Sequence, residues 1–233
     1  MKYNIELYLK FITVIICFSL ISCDFTSPLQ NCKDANVYAD RGEYKKAINE
    51  LNKAINKKKK NRRALFNRAL FKTHINDTEG ATEDYKNILS FTNCTLCTFE
   101  LANISFNQKK YHEAIDFLNS ALQTKGVVKN DDIFIPNNQL YSDDNDSDYN
   151  VKEQEIYFTR GFSCLKNRQF VNAIRDLKKT NEFNFYKHQG YYYIAQAYLG
   201  LKDSLNACEN YKKSKELGYI EDKEMLNKYC NKK

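Results

Sequence analysis

Two cysteines separated by two residues, Cys94 and Cys97, form the first pattern in this 233-residue sequence that could carry chemistry. A CxxC pair can exchange with a substrate disulfide or supply half of a zinc site. The chain has no second CxxC, and no strand–helix–strand pattern surrounds this one, so neither a zinc site nor a thioredoxin-like centre is indicated. The favoured interpretations are a local disulfide or two small buried side chains, with catalysis as the alternative.

An acidic run offers a second chemistry, the binding of calcium. The run resembles an EF-hand-type loop, with Asp144, Asp146 and Asp148 at positions one, three and five and Glu155 at position twelve. Calcium prefers such a set of oxygen ligands. Tyr149, however, stands where the sharp turn of that loop normally requires Gly, and no helix is indicated just upstream. A solvated acidic loop is therefore preferred, with its charges favouring the N-terminus of the next helix.

Motifs of the common enzyme classes are missing from the sequence. His74, His112 and His188 lie far apart, and there is no GxSxG, HExxH, P-loop or Rossmann fingerprint. We therefore expect no catalytic residues and no cofactor.

The composition favours a helical protein. The chain has only 7 Gly and 2 Pro, too few for the frequent turns of a β-sandwich or barrel. Its 17 Tyr and 15 Phe supply ample core material, and 36 Lys+Arg against 29 Asp+Glu give a net charge of +7.

A repeated pattern indicates how these helices are organised. Residues 43–48, 110–115 and 169–174 each read polar, aromatic, two variable residues, Ala, Ile, and weaker copies lie at 78–81 and 204–207. The alanines of the five copies are separated by 34, 33, 59 and 34 residues: Ala47, Ala81, Ala114, Ala173 and Ala207. This period resembles the tetratricopeptide repeat (TPR), a helix–turn–helix unit. The resemblance implies an all-α, TPR-type helical solenoid of about five units with a C-terminal capping helix.

Small residues recur twelve positions before each of these alanines, where they would let two helices cross closely. They are Ala35, Ala69, Ala102, Gly161 and Ala195. The resulting boundaries are 31–125 for units 1–3, 126–153 for an acidic insert loop, 154–219 for units 4–5, and 220–233 for the capping helix and tail.

The N-terminus carries a targeting signal. Phe11 to Ile21 is an apolar stretch too short to span a bilayer, and Leu20-Ile21-Ser22-Cys23 resembles the lipobox of bacterial lipoproteins. This resemblance implies that residues 1–22 are removed and that Cys23 is acylated, with 23–30 as a spacer. The expected location is the cell envelope, anchored to a bacterial membrane, with the outer membrane favoured. An ordinary signal peptide with a chance Cys is the alternative.

A basic patch lies between units 1 and 2, at residues 57–60 with Arg62 and Arg63. A solvated junction or contact with anionic head groups is favoured, because nucleic acid is a poor partner for an exported lipoprotein.

The TPR resemblance also implies a binding surface, since the first helix of each unit lines a concave groove in that family. The matching positions carry aromatic rings, which would form an apolar strip, and amides able to bond a peptide backbone: Asn36, Phe66, Phe99, Asn103, Phe106, Phe158, Phe162, Tyr192 and Gln196. We expect at least two rings to be accessible. Positions that clamp a C-terminal carboxylate in some members hold no cation here, so such a clamp is not expected; these are Cys32, Asn36, Asn67, Leu96 and Glu100.

Cys208 lies in the second helix of unit 5, at the position expected to face the capping segment that carries Cys230. A disulfide would hold that segment in place, and two free buried thiols are the alternative.

These observations predict a membrane-tethered scaffold that binds a protein or peptide. In architecture alone the chain resembles lipoproteins that serve outer-membrane protein assembly, pilus assembly and envelope proteolysis. The alternative function is a thiol-redox or calcium-dependent envelope accessory factor.

Overall fold

The computed structural model describes residues 26–128, 149–219 and Cys230. These residues form five helix pairs and one short strand pair. The helices are α1 (Pro28–Asp40), α2 (Tyr44–Lys57), α3 (Arg62–His74), α4 (Thr78–Leu89), α5 (Thr95–Asn107), α6 (Tyr111–Ala121), α7 (Glu153–Lys166), α8 (Phe170–Glu182), α9 (Lys187–Gly200) and α10 (Ser204–Glu216). Consecutive pairs make units 1 to 5, which confirms the predicted all-α, TPR-type solenoid.

A tight turn joins the two helices of every unit, and each turn contains one residue with positive φ. Glycine, which adopts this conformation without steric penalty, occupies it only in unit 1. The five residues, with φ between 60° and 73°, are Gly42, Asn76, Lys109, Arg168 and Lys202. Two of the second helices, α4 and α10, begin beside these turns with an aspartate cap; Asp77, for example, accepts a hydrogen bond from the Gly80 N–H at 2.9 Å.

Small residues lie where the two helices of a unit cross. The alanines of both repeated positions are fully buried, and Gly161 takes the place of alanine in unit 4. A Cβ atom on Gly161 would lie 2.8 Å from Leu177 Cγ, so α7 and α8 pack too closely for any side chain there. The repeated small positions therefore set the spacing within each unit.

In units 2 and 4 a buried ion pair joins the two helices of the unit. Arg160 on α7 donates from Nε and Nη2 to the two carboxylate oxygens of Asp176 on α8, at 2.7 and 2.9 Å. Its Nη1 donates at 2.8 Å to Asn119 Oδ1 on α6 of the preceding unit. Arg68 and Asp84 form the equivalent pair in unit 2. These bonds satisfy carboxylates that are almost wholly buried.

The end of the insert returns to the solenoid as a short strand. β1 (Val127–Val128) pairs in parallel with β2 (Val151–Lys152), and the Val151 N–H donates to Gly126 O at 2.9 Å. Tyr149 and Val151 are both buried in the hydrophobic core of units 1–3. The described end of the insert thus belongs to the core, and α7 begins at Glu153, inside the predicted loop.

The predicted capping segment, 220–233, lies outside the described residues except for Cys230, which has helical conformation. The signal segment 1–22, Cys23, and the proposed calcium ligands Asp144, Asp146 and Asp148 also lie outside them.

Candidate functional site

A continuous row of aromatic side chains runs along the first helices of units 3, 4 and 5. Phe106 on α5 contacts Phe162 on α7, with ring centroids 5.2 Å apart, and Phe162 contacts Tyr193 on α9 at 4.5 Å. Phe158 and Tyr192 extend the row through contacts with Tyr193 at 6.1 and 5.6 Å. All five rings are only partly buried. We call Phe106, Phe158, Phe162, Tyr192 and Tyr193 the aromatic strip.

Four residues of the aromatic strip were predicted from the repeat positions, whereas Tyr193 was missed. Tyr193 occupies the repeat position that holds Asn67 and Glu100 in units 2 and 3. The TPR resemblance associates that position with a carboxylate clamp and not with the groove surface. The sequence does contain a signal for Tyr193: it directly follows the predicted groove residue Tyr192 in a run of three tyrosines, 191–193.

Phe66 occupies a predicted groove position but is not an accessible surface in this structure. It is only 2% exposed, and two rings lie edge-on against it at 5.4 Å: Tyr85 on α4 and Tyr149 from the end of the insert. The Arg62 guanidinium lies 4.1 Å from the centroid of the Tyr149 ring. Tyr149 therefore packs on two residues of α3, a long-range contact that repeat spacing could not reveal.

The remaining predicted groove residues lie on the same first helices. Phe99 is partly buried and packs against the core of units 1–3. Asn103 Nδ2 lies 3.4 Å from Glu100 Oε2, to which it donates a long hydrogen bond. Asn36 and Gln196 are partly buried, and among the described residues Asn36 Oδ1 has no hydrogen-bond partner.

Two carboxylates close to the aromatic strip have raised pKa values. Burial raises the pKa of Glu100, the neighbouring charge of Glu155 raises it further, and the hydrogen bond from Asn103 opposes the shift. Burial also raises the pKa of Glu155, against the opposing charge of Lys152. For both groups burial is the largest cause of the shift.

The Cys94–Cys97 pair lies at the start of α5 with both sulfur atoms buried. The two Cα atoms are 5.2 Å apart, the sulfurs are within bonding distance, and Cys94 Sγ accepts a hydrogen bond from the Cys97 N–H. Burial argues against exchange with a substrate disulfide, because the attacking thiolate must reach the sulfur. Cys208 and Cys230 have Cα atoms 5.1 Å apart, within the range for a disulfide.

The structure bears on the membrane and metal predictions only within its described parts. In residues 26–128 and 149–219 no helix has the length and apolar character needed to cross a bilayer. Over the same ranges no three potential metal-ligating side chains come together. Glu155 is described, whereas its three aspartate companions are not.

Comparisons with known proteins agree on the fold. A family model described as TPR repeat matches residues 35–72. No curated protein sequence matches the chain. Similar solved structures include YrrB, described as a TPR protein with an unusual peptide-binding site, at 12% identity and a TM-score of 0.66 over 91% of this chain and 96% of that one.

Two further structures support the same conclusion. MamA from Desulfovibrio magneticus RS-1 matches at 13% identity with a TM-score of 0.65, covering 84% of this chain and 97% of that one. PilF of Pseudomonas aeruginosa matches at 15% identity with a TM-score of 0.57, covering 82% and 76%. At these identities the likeness concerns the fold alone. The described residues therefore form a TPR-type helical solenoid, an architecture that generally serves as a scaffold for protein interactions.

Proposed function

We propose that this chain is a membrane-tethered scaffold of the bacterial cell envelope that captures an extended segment of a protein partner on the aromatic strip. The observation that carries the proposal is the continuity of five partly exposed rings across three units. Aromatic side chains often dominate the energy of protein interfaces, and contiguous apolar surface often marks an interaction site.

The covered face of unit 2 sets the limits of this surface. Because Tyr85 and Tyr149 enclose Phe66, the partner segment would contact units 3 to 5 rather than the whole length of the solenoid. Amides beside the rings, Asn103 and Gln196, are placed to bond the partner's backbone. The reported peptide-binding site of YrrB, whose fold is similar, supports a peptide as the class of ligand.

The tether rests on the N-terminal sequence. An acylated Cys23 would hold the solenoid close to the bilayer, because α1 begins only a few residues later, at Pro28. Two or more acyl chains anchor a protein stably, whereas one is marginal. We place the scaffold at the outer membrane, in envelope assembly.

Site-specific photo-crosslinking in intact cells tests the binding surface. A photoreactive residue at Phe162 should give a discrete protein adduct, and Tyr193→Ala should abolish or strongly reduce that adduct. The same probe at Phe183, a partly buried aromatic at the end of a second helix, is the matched control and should give no such adduct. Equal adducts from both positions, or one insensitive to Tyr193→Ala, would rule out the aromatic strip as the binding surface.

A further inference from the structure

Three large apolar side chains are exposed at the helix turns of units 4 and 5. Leu205 is 83% exposed, Val171 69% and Leu201 43%. Val171 and Leu205 occupy the same repeat position, the second residue of the second helix. Units 1 to 3 have polar or charged residues there: Lys45, Glu79 and His112. Within the described repeats, apolar character at this position is therefore confined to the two C-terminal units.

The two turns lie side by side. The ring of Phe170, next to Val171, packs on Gly200, next to Leu201, so closely that a Cβ on Gly200 would lie 2.4 Å from Phe170 Cζ. The absence of a side chain at Gly200 therefore allows the turn of unit 4 to abut the turn of unit 5. Val171, Leu201 and Leu205 thus form one protruding ridge, which we call the apolar edge.

Cations flank the apolar edge. Arg168 and Lys202 are exposed at the positive-φ positions of the two turns. The acidic residue of these turns, Asp203, is engaged as the cap of α10, accepting from the backbone N–H and the Nδ2 of Asn206 at 3.0 and 2.6 Å. The ridge therefore combines projecting apolar groups with excess positive charge.

We propose that the apolar edge docks on an anionic lipid surface, with Val171, Leu201 and Leu205 entering the acyl boundary and Arg168 and Lys202 contacting head groups. Membrane-surface segments combine apolar and basic groups in this way, and their apolar groups enter the boundary by roughly 5–10 Å. Each basic residue close to such a surface adds to the electrostatic attraction. A convex ridge suits a deformable bilayer better than a protein partner, which would need a complementary cleft.

This contact is independent of the acyl group proposed at Cys23 and would add a second attachment at the opposite end of the repeat array. Attachment at both ends would hold the solenoid along the membrane instead of leaving it upright on its N-terminus. The aromatic strip would then have a defined orientation relative to the bilayer.

The natural chain contains no tryptophan, so one introduced Trp reports a single position. We would place Leu205→Trp in the full chain, purified from membranes and reconstituted in phosphatidylglycerol vesicles whose acyl chains carry bromine, a contact quencher. The emission should shift to shorter wavelength and lose on the order of half its intensity, as expected for a ring at the acyl boundary. Glu79→Trp, at the same repeat position in unit 2, is the control and should remain unquenched.

Two further arms make the result decisive. Val171→Trp should be quenched like Leu205→Trp, and it replaces that variant if Leu205→Trp fails to fold. Arg168→Glu with Lys202→Glu should reduce the quenching, as should replacement of phosphatidylglycerol by phosphatidylcholine. Flotation of the protein with vesicles, measured in parallel, reports the N-terminal attachment separately.

One result would overturn the proposal: the variants float with the vesicles, but Trp at positions 171 and 205 is quenched no more than Trp at position 79. A discrete protein adduct from a photoreactive group at position 205 in intact cells, without lipid adducts, would also overturn it by assigning the edge to a protein partner.

Discussion

Tyr149 lies edge-on against Phe66, with ring centroids 5.4 Å apart, and joins the returning end of the insert to the first helix of unit 2. The contact is enclosed, because both rings are only 2% exposed and the Arg62 guanidinium lies 4.1 Å from the centroid of the Tyr149 ring. A residue that follows the acidic loop is thus part of the core of units 1–3. This relationship confines the proposed binding surface to units 3–5.

Removing the Tyr149 ring should therefore destabilise the fold. Tyr149→Ala leaves a cavity beside Phe66 and should lower the free energy of unfolding by about 3 kcal/mol, measured by urea denaturation. Tyr186→Ala, which truncates a half-exposed ring, is the control and should cost less than about 1 kcal/mol. Equal losses for the two variants would contradict the assignment of Tyr149 to the core.

The Arg160–Asp176 pair predicts a second stability effect. Arg160→Met removes both hydrogen bonds to a carboxylate that remains buried, so the free energy of unfolding should fall by about 3 kcal/mol. Arg175 also approaches Asp176, at 3.5 Å, but its side chain is mostly exposed. Arg175→Met should therefore change stability by less than about 1 kcal/mol. A similar effect of the two substitutions would show that the buried geometry has no special role.

Glu100 predicts a stability that depends on pH. Burial raises its pKa above the ordinary value of 4.5, so between the two pKa values the native state binds more protons than the unfolded state. The contribution of Glu100 to stability is therefore fully present below the ordinary pKa and is lost as pH rises through the native pKa. Glu100→Gln should raise the Tm at neutral pH, and the gain should vanish at about pH 4.

Thermal unfolding at several pH values checks this prediction, with Glu83→Gln as a control on an exposed carboxylate. A gain for Glu100→Gln that is the same at low and neutral pH would contradict desolvation as its cause.

The cysteine arrangement predicts a labelling pattern. Cys164 is free and buried, and burial raises the pKa of its thiol to about 11, so it should not be alkylated in native protein at neutral pH. In denaturant without reductant Cys164 should be alkylated, while Cys94, Cys97, Cys208 and Cys230 should react only after reduction. Peptide mass spectrometry identifies the labelled positions. Labelling of Cys94 or Cys97 in the native, unreduced protein would instead favour the thiol-redox alternative.

The proposed anchor predicts the outcome of Cys23→Ser. Without the thiol no acyl group can be attached, so the precursor should stay unlipidated and the protein should shift away from the membrane fraction. Cell fractionation with immunoblotting checks both results. Replacement of Cys17, which lies inside the apolar stretch, by Ser is the control and should change neither. Normal processing and membrane attachment of Cys23→Ser would exclude lipidation.

The repeat architecture follows from the sequence alone for a specific physical reason. Each unit packs mainly on its neighbours, so the spacing of a few small and large residues along each helix determines the packing. Ala47, Ala81 and their equivalents thereby predicted all five helix pairs. The same periodicity placed Phe106, Phe158, Phe162 and Tyr192 on the first helices, because the face on which a helical residue lies depends only on local position.

Other features depend on contacts between distant parts of the chain, and only the tertiary structure decided them. The return of the insert onto Phe66 follows no repeat, so spacing could not show that Tyr149 would cover that ring. The hydrogen bond from Arg160 to Asn119 joins units 4 and 3, and the two residues are 41 positions apart in the sequence because the insert lies between them. The solvent exposure of the groove rings could not be predicted from the sequence for the same reason. Periodicity assigns Phe162 to a helix face, but the neighbouring helices determine how much of its ring remains accessible.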